Sequence, residues 1–179
     1  MISSEEFKKY LDFAYSAYQE NNISGQAFRQ DGKVLYMVHP LWCAMSLIMD
    51  TQVPFEQREL GFKALILHDV LEDTSLTLPD WVEPEVAEVI RELTFESFEQ
   101  AMEVYENKKP FIKLLMLYDK LSSMYEKHVA INNDPEDKKM KKRRKWKEFT
   151  ARGVEEVEKE YGNVRIVQIG KAILENTNW

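Results

Sequence analysis

Apolar residues recur along most of this chain at the three-to-four spacing of amphipathic helices. Phe7, Leu11, Ala14 and Tyr18 form one stripe, and Ser3 with Glu6 has capping-box spacing, so a first helix starts near Ser3 or Ser4. Asn21-Asn22-Ile23-Ser24-Gly25 ends it, and a loop carrying Asp31-Gly32 follows. Residues 33–38 read as a short extended piece, too short to build a sheet. Pro40 suits the first turn of a second helix that runs to about Asp50. Beyond a break over residues 51–54, a third helix covers about residues 56–72, with Leu60, Ala64, Leu67 and Leu71 on one face. Pro79 and Pro84 bracket a turn before a helix of about residues 84–93. Phe98, Met102 and Tyr105 mark a short helix that Lys108-Lys109-Pro110 ends, and a long apolar helix spans about residues 110–131. Asn132-Asn133-Asp134-Pro135 is a restart signal, with Asp134 as N-cap and Pro135 in the first helical position. The next helix runs to about Tyr161, Gly162-Asn163 stops it, and a last helix covers about residues 164–176. The expected architecture is a single all-α domain over residues 1–179, a bundle of seven or eight helices.

Composition adds bounds rather than chemistry. A chain of 179 residues, 44% hydrophobic, buries a real core without staples. One Cys excludes a disulfide framework. No apolar run reaches the roughly 18–20 residues of a membrane span, and the start, Met1-Ile2-Ser3-Ser4-Glu5-Glu6, lacks the features of a signal peptide. A cytoplasmic globule is therefore expected. The net charge of −7 argues against nucleic acid as a partner. Nothing in the composition decides whether the chain forms a homo-oligomer.

The chemistry lies in polar residues embedded in apolar helix. Ala64-Leu65-Ile66-Leu67 runs directly into His68-Asp69, followed by Val70-Leu71-Glu72-Asp73-Thr74. A buried carboxylate without a partner costs several kcal/mol, roughly, so it calls for a counter-charge or a metal. On a continuous helix His68 with Glu72, and Asp69 with Asp73, lie one turn apart and share a wide polar face. The long helix repeats the pattern, with Asp119 deep in Phe111-Ile112-Lys113-Leu114-Leu115-Met116-Leu117-Tyr118 and onward. His39 stands at the head of another apolar helix. His39, His68, Asp69 and Asp119 together offer the imidazole and carboxylate mix that octahedral metals accept. Of the three His, His128 falls nine residues after Asp119, about 900° of helix rotation, on the opposite face. Cys43, one turn from His39, reads as a small apolar residue.

His39-Pro40, then His68-Asp69 with Glu72-Asp73-Thr74, then Asp119-Lys120-Leu121 resembles the HD-domain metal phosphohydrolases, and more narrowly the RelA/SpoT-type hydrolase domains and small alarmone hydrolases. The likeness covers about residues 11–150, and Gly25-Gln26, Asp31-Gly32 and Tyr36 also match that group's approach to its first His. With no nucleotidyltransferase region after the helices, the chain is expected to be like the hydrolase-only members. The resemblance implies an HD-type helical fold. It implies one divalent metal, usually manganese, on His39, His68, Asp69 and Asp119, with Glu72 and Asp73 handling the water and its protons. The implied reaction removes pyrophosphate from the 3′ position of guanosine tetra- or pentaphosphate, so the partner is a small nucleotide substrate.

Two features depart from that pattern. The group's D-K-L-x-N reads Asp119-Lys120-Leu121-Ser122-Ser123, which puts Ser123 where an Asn stands beside the water or substrate. The usual basic loop before the first His retains only Arg29 and Lys33. Ser123 keeps open an HD phosphohydrolase acting on another nucleotide: a mono- or triphosphate, or a dinucleotide cofactor. Both departures together keep open a nucleotide-sensing module with weakened catalysis. The basic run Lys138–Lys147 has three readings: a solvated helix face, a phosphate-holding wall in which Lys142 and Trp146 lie one turn apart, or a patch for a nucleic-acid backbone. Arg29, Ser123, Lys142 and Trp146 are the candidate substrate contacts.

Overall fold

The computed structural model describes residues 2–20, 28–29, 33–132 and 136–176, with the side chains of residues 20, 125–132, 136–139 and 142–143 outside the description. The described elements run α1 (Ser4–Glu20), α2 (Val38–Ile48), α3 (Phe55–Leu67), α4 (Val70–Asp73), α5 (Pro84–Leu93), α6 (Phe98–Val104), a 3-10 turn (Tyr105–Asn107), α7 (Pro110–Asn132), α8 (Glu136–Tyr161) and α9 (Arg165–Asn176). Eight of these are helices of seven or more residues and α4 is a single turn, so the all-α expectation holds. Among the described residues one antiparallel bridge joins Phe28 and Leu35. The expected break at Asn21–Gly25, the Asp31-Gly32 loop and the Asn133-Asp134-Pro135 restart fall wholly or largely outside the described residues.

α7 is the central element because its sequence is apolar on nearly every side. Ile112, Leu114, Leu115, Met116, Leu117, Tyr118 and Leu121 are all buried, which a helix tolerates only when neighbours surround it. α2 and α3 pack on each other and on α7, α8 also packs on α7, α9 packs on α8 and α5 on α3. α1 buries Tyr10, Ala14, Ala17 and Tyr18 rather than the full Phe7–Leu11–Ala14–Tyr18 stripe, whose first two members are half-buried. Ser3 caps α1 as its spacing predicts, accepting the Glu6 N–H at 3.1 Å. The Glu6 carboxylate pairs with Lys63 of α3, which also holds Glu83 at 2.5 Å.

One buried carboxylate ties three elements together. Asp50, just past α2, accepts the Tyr118 hydroxyl of α7 at 3.0 Å and the backbone N–H of Arg165 at 2.9 Å. It thereby satisfies one of the orphan donors at the start of α9 and sets α2, α7 and α9 relative to one another. The α2–α3–α7 junction is equally tight. A Cβ on Gly61 would stand 2.4 Å from Leu47 Cδ2 and 2.9 Å from Leu115 Cδ2, and both leucines are fully buried. Gly61→Val therefore destabilises the chain by about 1–3 kcal/mol through overpacking. A urea denaturation curve reads this as a lowered midpoint with unchanged slope, and a midpoint equal to the parent's would contradict the packing.

Candidate metal centre

Three helices deliver the predicted polar residues to one place. His39 sits in the first turn of α2, Asp119 lies midway along α7, and His68-Asp69 occupy the joint between α3 and α4. The sequence predicts one helix over residues 56–72; instead α3 stops at Leu67 and α4 restarts at Val70. The His68 ring explains the joint. Its Nδ1 donates to the Leu65 carbonyl at 2.7 Å, the acceptor that a continuous helix gives to the Asp69 N–H. The helical rotation is nevertheless retained, since Asp73 N–H still reaches the Asp69 carbonyl at 2.8 Å. Thr74 closes α4, its hydroxyl donating to the Val70 carbonyl at 2.7 Å.

The two imidazoles and two carboxylates are all buried. Asp119 Oδ1 lies 3.1 Å from His39 Nε2 and 3.5 Å from His68 Nε2, while its Oδ2 pairs with Lys120 at 2.5 Å. Asp69 Oδ1 lies 3.0 Å from His68 Nε2, and Oδ2 lies 3.5 Å from His39 Nε2. Burial opposes ionisation of both carboxylates. For Asp69 the charge of His68, and for Asp119 the charge of Lys120 and then both imidazoles, outweigh it and hold them below the usual carboxylate range. Burial also opposes charge on the imidazoles. It wins at His39, which is pushed down, and loses at His68, where Asp69 and Asp119 hold the ring well above its ordinary value.

The donor set fits a divalent cation. His39, His68 and Asp119 each offer a ligand atom within 4.8 Å of the others. His68 Nε2 is a buried polar atom with no hydrogen-bond partner in proper geometry, despite the carboxylates beside it. With His68 Nδ1 committed as a donor to Leu65, a neutral His68 presents its Nε2 lone pair toward those anionic oxygens. A divalent cation between them would take the place of the proton that otherwise balances those carboxylates, and a second hydrogen bond behind a ligating imidazole is the usual arrangement. His39 has the same design, with Nδ1 2.9 Å from the Ser122 hydroxyl. Cys43 lies on that Nδ1 side at 3.9 Å and donates toward the Tyr118 carbonyl at 3.6 Å, so its thiol faces away from the ligand cluster.

Glu72 and Asp73 stand beside this cluster in a cleft of about 630 Å³, lined also by Leu71, Arg91, Thr94, Phe95, Glu96 and Gln100. Glu72 Oε1 accepts the Phe95 N–H at 2.5 Å. Burial, and then the Asp69 charge, push its carboxyl up to about 7. Asp73 is raised by the same two causes in the same order. The Tyr36 hydroxyl sits between Asp69 Oδ2, at 2.9 Å, and Asp73 Oδ2, and the Arg29 guanidinium lies over the Tyr36 ring at 5.1 Å. Arg29 is thus brought to the rim of the site through Tyr36.

The other candidate contacts land differently. Trp146 is 6% exposed and stacks on Phe98 of α6 at 4.7 Å, with Phe149 edge-on, the setting of a packing aromatic between α6 and α8. The side chains of Lys142 and His128 lie outside the described residues. Of the basic run, Lys145 pairs with Glu99 at 2.5 Å. Ser123 is half-buried, and it is its neighbour Ser122 whose hydroxyl meets His39. Ser122 went unmarked because positions three and four beyond Asp119 share one helix face and the motif directs attention to the second.

No family model matches the chain, and no curated protein matches it. A solved structure does: a metazoan ortholog of SpoT, described as hydrolysing ppGpp and playing a role in starvation responses. It is 20% identical, with a TM-score of 0.71, covering 98% of this chain and 97% of that one. At that identity the likeness shows the fold. It agrees with the HD-type helical architecture implied by His39-Pro40, His68-Asp69 and Asp119-Lys120-Leu121.

Ser122 supports His39 from behind, so Ser122→Ala weakens the affinity of this centre for a divalent cation by about 10–100-fold, while Ser122→Thr keeps most of it. Competition titration against a metal indicator measures this on the protein without substrate. Equal affinity in the Ala variant would remove Ser122 from the centre.

Proposed function

We propose that the chain is a metal-dependent phosphohydrolase, with manganese the expected ion. The proposed reaction removes pyrophosphate from the 3′ position of guanosine 3′,5′-bis(diphosphate) or its pentaphosphate analogue. The observation that carries this reading is the buried cluster of His39, His68 and Asp119, with Asp69 beside both imidazoles. Beside them stand two more carboxylates of raised pKa in an open cleft. The fold likeness to a ppGpp hydrolase supports the same reading. Residues 1–179 would then act as one HD-type domain.

In this mechanism a divalent ion, when bound, lowers the pKa of a bound water and offsets charge on the phosphoryl oxygens. His39 and His68 would hold it through Nε2, each ring fixed from behind by Ser122 or Leu65, and Asp69 and Asp119 would complete the set. Glu72 has one oxygen on the Phe95 N–H, leaving Oε2 to take the proton of the attacking water. As the water oxygen bonds to phosphorus, the bond from phosphorus to the ribose 3′ oxygen breaks. Asp73, poised by Tyr36, passes a proton toward that oxygen. Two carboxylates held ionised and two pushed toward neutrality is the division of labour that hydrolysis near pH 7 requires. Ser123 in place of the expected Asn favours a second reading, with the same centre acting on a different nucleotide.

A panel of nucleotides assayed with added Mn²⁺ separates these readings: phosphate release only from another nucleotide moves the substrate, and release from none removes the enzyme. Asp69→Ala abolishes turnover while circular dichroism shows retained helix; full activity in that variant under chelation would overturn the assignment. Glu72 acts deprotonated, so kcat/KM rises with pH through a limb at or below about 7, because a cation beside the carboxyl lowers its pKa. Glu72→Gln lowers kcat by about 10²–10⁴-fold and flattens that limb, and an unchanged pH profile would assign the base elsewhere. Ser123→Asn raises the rate on the bis(diphosphate) substrate if the missing amide limits it. No gain would place the change in the substrate or in a neighbouring residue.

A further inference from the structure

The cleft that holds Glu72 and Asp73 has a second wall that the proposed chemistry leaves unused. The end of α5, the loop after it and the first turn of α6 form it, through Arg91, Thr94, Phe95, Glu96 and Gln100. It joins the first wall where Glu72 accepts the Phe95 N–H. Glu72, Asp73 and Glu96 all line this space, so without a local cation it repels an anion. Arg91 is the only Lys or Arg among its lining residues.

Arg91 is also uncommitted. It is exposed, and among the described residues its guanidinium has no carboxylate partner. Nearby lysines differ: Lys108 is paired with Glu92 at 2.6 Å and Lys120 with Asp119 at 2.5 Å. Gln100 supplies a second donor. Its Oε1 accepts the Glu96 N–H at 2.7 Å, and its own N–H is held by Ser97, the cap of α6, at 3.2 Å. An N–H can face only the amide oxygen, so the NH₂ group of Gln100 is left as the donor.

We propose that Arg91 and Gln100 form a phosphate subsite for a part of the substrate remote from the bond being cut, so that the site selects nucleotides carrying a second phosphate or diphosphate group. This rests on the phosphohydrolase reading above and deepens it. A guanidinium fork matches phosphate oxygens in a bidentate way that a single ammonium does not. The volume of about 630 Å³ lies within the range of nucleotide-sized ligand sites. Placing this contact away from the reacting phosphorus separates binding from chemistry, so its loss shows in KM rather than kcat.

The test compares the parent chain with Arg91→Ala, Arg91→Lys and Gln100→Ala. Calorimetric titration with guanosine 5′-diphosphate in Mn²⁺ reads binding, and hydrolysis of guanosine 3′,5′-bis(diphosphate) reads KM and kcat. Arg91→Ala weakens diphosphate binding and raises KM by about tenfold or more, with kcat within about threefold; Arg91→Lys recovers part, and Gln100→Ala loses severalfold. Guanosine, which has no phosphate, binds all four proteins equally. Diphosphate affinity unchanged in Arg91→Ala overturns the subsite whatever the enzyme hydrolyses. Arg91-dependent diphosphate binding with no hydrolysis of any nucleotide would instead retain the subsite and remove the enzymatic reading. Arg91 is exposed, so thermal melts of the variants should match the parent, and a lowered melt would assign Arg91 to folding instead.

Discussion

Two carboxylates and two imidazoles share the interior of an apolar helical bundle, and the arrangement of the surrounding helices follows from that constraint. Asp69 and Asp119 are each less than one-tenth exposed. Left unpaired there, either would cost several kcal/mol, roughly. Their compensation comes from separate segments: His39 from α2, His68 from the end of α3, Lys120 from α7 and Tyr36 from the approach to α2. α2, α3 and α7 must therefore meet at a fixed spacing. The close approach at Gly61 and the Asp50 node at the far end of α2 both serve to hold that spacing.

The site separates two kinds of carboxylate by environment alone. Asp69 and Asp119 face cationic or protonatable nitrogen and stay ionised. Glu72 and Asp73, one turn on, face the Asp69 charge from half-buried positions and are raised instead. The α3–α4 joint produces this contrast. The His68 ring takes the Leu65 carbonyl, which interrupts the helix at the residue where buried chemistry gives way to an open cleft.

What could be read from the chain alone follows the same physics. A charge inside an apolar run is a local anomaly, so His68-Asp69 after Leu65-Ile66-Leu67 and Asp119 inside α7 were visible without coordinates. Helix ends marked by Pro40, Pro84, Pro110 and Gly162 were equally legible. The α3–α4 joint was hidden because propensity continues through it and only a side-chain hydrogen bond breaks it. Trp146, read as a substrate contact, occupies a position decided by Phe98, forty-eight residues away. Ser122 and Ser123 share a face of α7, and the register against α2 selects the first. The Arg91 wall was illegible because α5 presents an ordinary amphipathic pattern, and its meaning depends on which loop folds over Glu72.

The charge distribution links these observations to ligand choice. A chain of net charge −7 offers an anion no general attraction, so anion recognition must come from individual cations that the fold leaves available. Several described lysines are engaged: Lys63 with Glu6 and Glu83, Lys108 with Glu92, Lys113 with Glu156, Lys120 with Asp119. These pairs hold helices together and leave the cleft walls anionic. An anion therefore gains access only where a cation is unpaired or where a cation at the His39–His68–Asp119 cluster would offset the local carboxylate charge. Attraction for an anion at such a site depends on the spacing of individual charges rather than on the total charge of the chain.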